Sequence, residues 1–193
     1  MSPAATVTAT AAERAVLDAA DTMFYQRGIA GVAMSEIRDS AGVSMRRLYS
    51  LFPSKRDLVT GWLQDRHTRW MAWFTDAIER HARESSDAVL ATFDALEEWV
   101  SSPGYRGCAF LNSVAETDEI VDVHRTIIAD HKHALIEHVA TLALADHPDA
   151  PSWLPAAIGV LIDGAIVQSA VFNTTAPLAA ARSAAAQLIG VTS

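Results

Sequence analysis

Arg46, Arg47 and Ser50 are the first side chains in this sequence whose types and spacing suit a chemical task. At about 100° per residue, a helix over Met45–Phe52 puts Met45, Leu48, Leu51 and Phe52 on one face. Arg46 and Ser50 fall at the centre of the opposite face, with Arg47 and Tyr49 beside them. Guanidinium groups on a short helix with an apolar back are what the reading of guanine O6 and N7 in a major groove requires. Just downstream, Ser54-Lys55-Arg56-Asp57 reads as a capping box that opens a further helix, and Pro53 ends the one before it. A helix N-terminus with Lys55 beside it is a natural phosphate site. The expected DNA contacts are therefore Ser44, Met45, Arg46, Arg47, Tyr49, Ser50, Ser54 and Lys55, with Arg46 and Arg47 as base readers.

A second group lies in the remainder of the chain. Asn112 and Glu116 stand four apart, and His124, His131 and His138 recur every seven residues, interleaved with Val121, Ile128, Leu135 and Leu142. Two readings stay open: a polar wall on which Asn112, Glu116 and His131 converge around a ligand or even a divalent ion, or a partly exposed helix edge. The spacing specifies no metal, so no metal or cofactor is expected. Trp62, Trp70, Trp73, Phe74, Phe93, Trp99 and Phe110 could line an apolar ligand cavity, although an aromatic stripe also reads as plain core. Cys108 is most simply a small buried residue. No Ser-His-Asp order, metal-protease helix motif or phosphate loop is present, so an all-α enzyme is a remote alternative and no catalytic residue is expected.

These side chains need helices to hold them, and almost no segment alternates like a strand. The expected fold is all-α, with about nine helices: a three-helix helix-turn-helix domain followed by a helical ligand-binding and dimerisation domain. Ala41-Gly42-Val43-Ser44 supplies the tight turn, Gly42 permitting a left-handed backbone and Ser44 capping the helix that follows. Further helices are expected over 11–27, 55–83, 87–100, 107–116, 121–145, 153–172 and 177–189. The division is a disordered tail over 1–10, a DNA-binding domain over 11–53 and a body over 54–193. The penultimate helix is apolar nearly all round, and small residues stud it and the last helix. A two-fold bundle of these two helices from each subunit is expected, through Leu161, Ala165, Val167, Val171, Ala181, Ala185 and Leu188; the alternative is a helix central to a monomer core.

With 193 residues, half of them apolar, the chain can bury a proper core. Its single cysteine rules out a disulfide framework and fits a reducing, cytoplasmic setting. The start, MSPAATVTATAA, lacks the basic segment and apolar run of a secretion signal, and no uninterrupted apolar stretch approaches the roughly 18 residues of a membrane span. Residues 1–60 hold seven Lys plus Arg against six Asp plus Glu, whereas 61–193 hold eight against seventeen. An acidic chain can still bind DNA when its basic groups cluster locally.

The segment Gly28–Leu58 resembles the N-terminal domain of the TetR (tetracycline repressor) family. The shared residues are Phe24 and Gly28, Ile37, Ala41 to Ser44, then Leu48, Tyr49, Phe52, Ser54, Lys55 and Leu58. Three positions depart from the family pattern. Arg38 follows Ile37 where a small residue is usual, Ala33 stands where a capping Thr or Ser is common, and Arg46-Arg47 replace a Gly and a small residue. Without another cap, Ala33 would weaken the second helix by up to about 1 kcal/mol. The resemblance implies a homodimer paired through its last two helices, a palindromic operator in double-stranded DNA, and a cavity in the body whose small-molecule effector moves the long helix and spreads the heads. It also implies a repressor, with an activator or a ligand sensor of weakened operator binding as the alternative.

Overall fold

Thr10 caps the first helix, its hydroxyl accepting the Glu13 N–H at 3.2 Å while the Glu13 carboxylate accepts the Thr10 N–H. The structure, a computed structural model, describes residues 10–85, 87–116 and 121–190. Thr10 is thereby removed from the tail expected over 1–10, the rest of which lies outside the described residues. Among the described residues there are nine helices and no strand. α1 (Ala11–Arg27), α2 (Met34–Ala41) and α3 (Met45–Leu51) form the head, and α4 (Lys55–Ala82) runs from it into the body. The body comprises α5 (Ala88–Val100), α6 (Ala109–Val114), α7 (Asp122–Asp146), α8 (Leu154–Phe172) and α9 (Ala176–Leu188).

Phe24, Ile29, Val32, Ile37, Leu48 and Phe52 are buried between the head helices, and Leu58, Val59 and Trp62 in the first turns of α4 extend that core. Gly61 matters here because a Cβ on it would lie 2.8 Å from Phe52 Cε1, so the bare backbone lets α4 seat against the ring. In the body, α5 is buried along most of its length and α8 packs against both α7 and α9.

The helix expected over 107–116 shrinks to Ala109–Val114, because Gly107 turns the chain at φ 87° and Asn112 bonds back to the Arg106 carbonyl. Ala165, Ala181 and Ala185 are largely buried within the single chain, where their small side chains let α5, α8 and α9 approach one another. Of the other expected dimer residues, Val167, Val171 and Leu188 are exposed and Leu161 is half-buried. α8 is, by length and composition, the one described helix apolar enough to cross a membrane, although Asp163, Gln168 and Ser169 interrupt its apolar run. Ile158, Ile162, Ala165 and Ile166 on one side are buried, whereas Val160, Val167 and Val171 on the other are exposed.

Candidate nucleic-acid interface and effector site

The turn that aims α3 forms as its residue types require. Gly42 adopts φ 66° and ψ 28°, ends α2 in the left-handed region and donates to the Arg38 and Asp39 carbonyls. Ser44 then accepts the Arg47 N–H at 3.1 Å and opens α3. Ala33 has no side-chain oxygen, yet α2 is not left uncapped: the Glu36 carboxylate accepts the Ala33 N–H at 2.9 Å and pairs with Arg27 at 2.7 Å. The Arg27 guanidinium and that N–H hold the Glu36 carboxyl below its ordinary range.

Leu48 is fully buried under α3, and Met45 and Leu51 pack partly against the core. Arg46, Arg47, Tyr49 and Ser50 are exposed. Neither Arg46 nor Arg47 uses its guanidinium on a partner among the described residues, which leaves ten N–H donors in all for an outside ligand. Ser50 differs, because its hydroxyl donates to the Arg47 carbonyl at 2.7 Å and so presents only an acceptor. Arg38 pairs with its neighbour Asp39. At the start of α4, Ser54 accepts the Asp57 N–H at 3.2 Å and donates to the Asp57 carboxylate at 2.7 Å.

Between head and body the structure redistributes the expected ligand residues. Glu116 faces the head, where its carboxylate accepts the backbone N–H groups of Ile29 at 2.9 Å and Ala30 at 2.8 Å. Those two donors follow Gly28, which stops α1 at φ 79° and comes so close to Glu116 that a Cβ would lie 3.2 Å from Oε1. Tyr25 adds a second tie, donating its hydroxyl to the Gly107 carbonyl at 2.8 Å and accepting the Arg106 N–H at 2.7 Å. Asn112 and Trp62 line a crevice of about 430 Å³ beside these contacts. Trp62 is itself head core, edge-on to Phe24 at 5.2 Å with its N–H on Asp21 at 2.7 Å.

His131 is elsewhere, so Asn112, Glu116 and His131 do not converge. The histidines instead form the seam between α4 and α7. Thr60, His67 and Phe74 on α4 meet His124, His131 and His138 on α7, seven residues apart on each helix: Thr60 Oγ1 to His124 Nε2 at 3.0 Å, His67 Nδ1 to His131 Nδ1 at 3.1 Å, and Phe74 to His138 at 6.1 Å between rings. His124 and His131 are buried and His138 half-buried, which overturns the exposed-edge reading. Phe110 stacks on His131 at 3.7 Å and Trp70 meets it edge-on at 5.2 Å. Burial, reinforced by Lys132, His67 and Arg66, pushes the His131 imidazole down to about 3, so it is neutral at pH 7. No group of three or more potential metal ligands occurs among the described residues.

Phe74 and Phe93 are fully buried core. Trp70, Trp73 and Trp99, by contrast, share an open recess of about 410 Å³ with Asp21, Arg66, Arg69 and Glu98. It spans α1, α4 and α5, and so touches head and body together. Sequence inspection did not single out Asp21, Tyr25, Arg66 or Arg69. Their partners are distant in the chain, as in Arg66 on Asp21 or Arg66 over the Tyr25 ring at 4.2 Å, and no local spacing announces them.

Comparison with known proteins places this geometry. The family model described as bacterial regulatory proteins, tetR family, matches residues 16–60, which span α1 to the start of α4. The crystal structure of a TetR-family transcriptional regulator from Streptomyces coelicolor aligns with 95% of this chain and 90% of its own, at 27% identity and a TM-score of 0.81. Reduced E. coli NemR aligns with 93% of this chain and 98% of its own, at 18% identity and a TM-score of 0.80. A TetR regulator from Chloroflexus aurantiacus aligns at 22% identity and a TM-score of 0.75, covering 93% of this chain and 94% of its own. No curated protein matches the chain at a significant level.

Proposed function

We propose that the chain, whose residues 16–60 match the tetR family of bacterial regulatory proteins, is a TetR-family transcription regulator: a homodimeric, effector-released repressor acting in the cytoplasm. The observation that carries the reading is the pair Arg46 and Arg47, exposed on a capped helix with a buried back, their guanidinium groups without partners among the described residues. Arg46 and Arg47 read bases, Ser50 supports them as an acceptor, and Ser44, Met45, Tyr49, Ser54 and Lys55 hold the backbone. Residues 11–53 serve as the DNA-binding domain and 54–193 as the regulatory body.

Pairing through α8 and α9 is supported by Val160, Val167 and Val171, whose exposure would leave an apolar stripe in water. Two heads held in this way present α3 twice, and simple helix-turn-helix dimers place such helices about 34 Å apart for successive major grooves. The effector occupies the recess lined by Trp70, Trp73 and Trp99, with His131 behind Trp70 and Phe110 stacked on His131. Effector that binds the spread-head state more tightly shifts the population away from DNA. No catalytic step is assigned to the chain.

The test is a gel shift with the DNA beside the chain's own gene, together with the stoichiometry of the complex. Two chains on a palindromic site, competed by that site and not by random DNA, would support the reading. Binding that ignores sequence would overturn it.

A further inference from the structure

We infer that the recess between α1, α4 and α5 binds a flat aromatic carboxylate, with its ring against Trp73 and Trp99 and its carboxylate on Arg69. The inference rests on the reading of the chain as an effector-responsive regulator and adds the chemical class of the effector. At about 410 Å³ the recess lies within the range of small-molecule sites. Trp70 meets Trp99 edge-on at 5.5 Å and Trp73 at a tilt at 6.3 Å, so indoles wall the recess from several directions and favour a planar guest.

Hydrogen-bonding capacity decides the charge of that guest. The carboxylates lining the recess are already paired. Asp21 takes the Trp62 N–H and Arg66 and lies 3.3 Å from Arg69, while Glu98 takes Arg80 twice, at 3.0 and 3.1 Å, and His81 at 3.0 Å. The donors are not. Arg69 makes one hydrogen bond, from Nε to Asp65 at 2.7 Å, and a guanidinium carries five N–H groups. The Trp70 N–H is buried without a partner. A guest bearing a carboxylate finds forked donors waiting, whereas a cation finds carboxylates already neutralised.

A regulatory consequence follows from the location. Of the two carboxylates beside Arg69, Asp21 is the farther and belongs to the head, whereas Asp65 is on α4 itself. A ligand carboxylate on Arg69 therefore competes with the head for that guanidinium and loosens α1 from α4, which lowers operator affinity.

Isothermal titration of the full chain with 2-naphthoate, and separately with the 2-naphthylmethylammonium cation, tests this. The expected result is one naphthoate per chain, with the cation at least tenfold weaker. Arg69→Gln should weaken naphthoate at least tenfold and Arg69→Lys by an intermediate factor, Lys keeping the charge but not the fork. Circular-dichroism melts establish that each variant is folded, and Arg69→Lys keeps the test decisive if Arg69→Gln is not. Absence of naphthoate binding, a cation that binds equally well, or unchanged naphthoate affinity in both variants would overturn the inference. Operator binding is measured in the same samples without naphthoate. A chain that binds its operator but not naphthoate refutes the aromatic-acid assignment alone, whereas loss of operator binding in the wild type refutes the regulator reading.

Discussion

Replacing Glu116 with Ala should unlatch the head from the body. The carboxylate accepts two backbone N–H groups across that junction, at 2.9 and 2.8 Å, and nothing else among the described residues accepts either of them. Hydrogen bonds to a charged group contribute about 1.5–3 kcal/mol each. Ile29 is fully buried, so its N–H regains little from water, whereas Ala30 is exposed and its N–H is readily resolvated. The expected loss is about 2–3 kcal/mol, a roughly 30- to 150-fold rise in the undocked population. Glu116→Gln keeps one carbonyl acceptor and should lose about half as much. Amide hydrogen exchange over residues 28–31 reads the effect directly, and the melting temperature should fall by roughly 4–12 °C for a chain of this length. Wild-type protection at Ile29 and Ala30 in Glu116→Ala, with an unchanged melt, would refute the latch.

Other perturbations follow from the same geometry. Gly61→Ala should destabilise the fold by about 1–2 kcal/mol although alanine favours helices, because its Cβ would meet Phe52 at 2.8 Å; a raised melting temperature would contradict this. His131 titrates at about 3 in the folded chain and near 6.5 unfolded, so between those values the unfolded state holds the extra proton. Stability is full above pH 6.5 and falls as pH drops through that window, by about 2 kcal/mol from pH 7 to pH 5. Urea unfolding at those two pH values should show a smaller fall in His131→Phe, and equal falls would count against the assignment. Val167 and Val171 are 48% and 70% exposed, so aspartate at both should leave the fold intact and yield monomers by sedimentation; a dimer that survives both changes would exclude pairing on that face.

Sequence carried the head because its signals are local. Gly42, Ser44 and Ser54 each act within four residues of themselves, and the apolar set Leu48 and Phe52 needs only helical periodicity to find its side. The long body helices were likewise legible to within a residue or two, since Pro, Gly and capping residues bound them. Pairings between distant segments were not. Glu116 read as a ligand residue because nothing near it in the chain discloses that its partners are the N–H groups of Ile29 and Ala30. The seven-residue recurrence of the histidines was visible, but the matching row Thr60, His67 and Phe74 that buries them became evident only when α4 and α7 were set side by side. Ala181 and Ala185 show a different limit: small residues permit close helix approach equally within a chain and between chains, and here the chain's own α5 and α8 cover them.

The proposed reading of DNA by α3 through Arg46 and Arg47 is open to direct test. Fluorescence anisotropy with the chain's own promoter and with a scrambled duplex, at two salt concentrations, compares wild type with the Arg46→Ala, Arg47→Ala double variant and with Lys55→Ala. The double variant should lose specific affinity, about 1–3 kcal/mol for each lost bidentate base contact, until promoter and scrambled duplex are bound alike. Lys55→Ala should weaken both duplexes similarly and flatten the salt dependence. Undiminished preference for the promoter in the double variant would contradict the assignment.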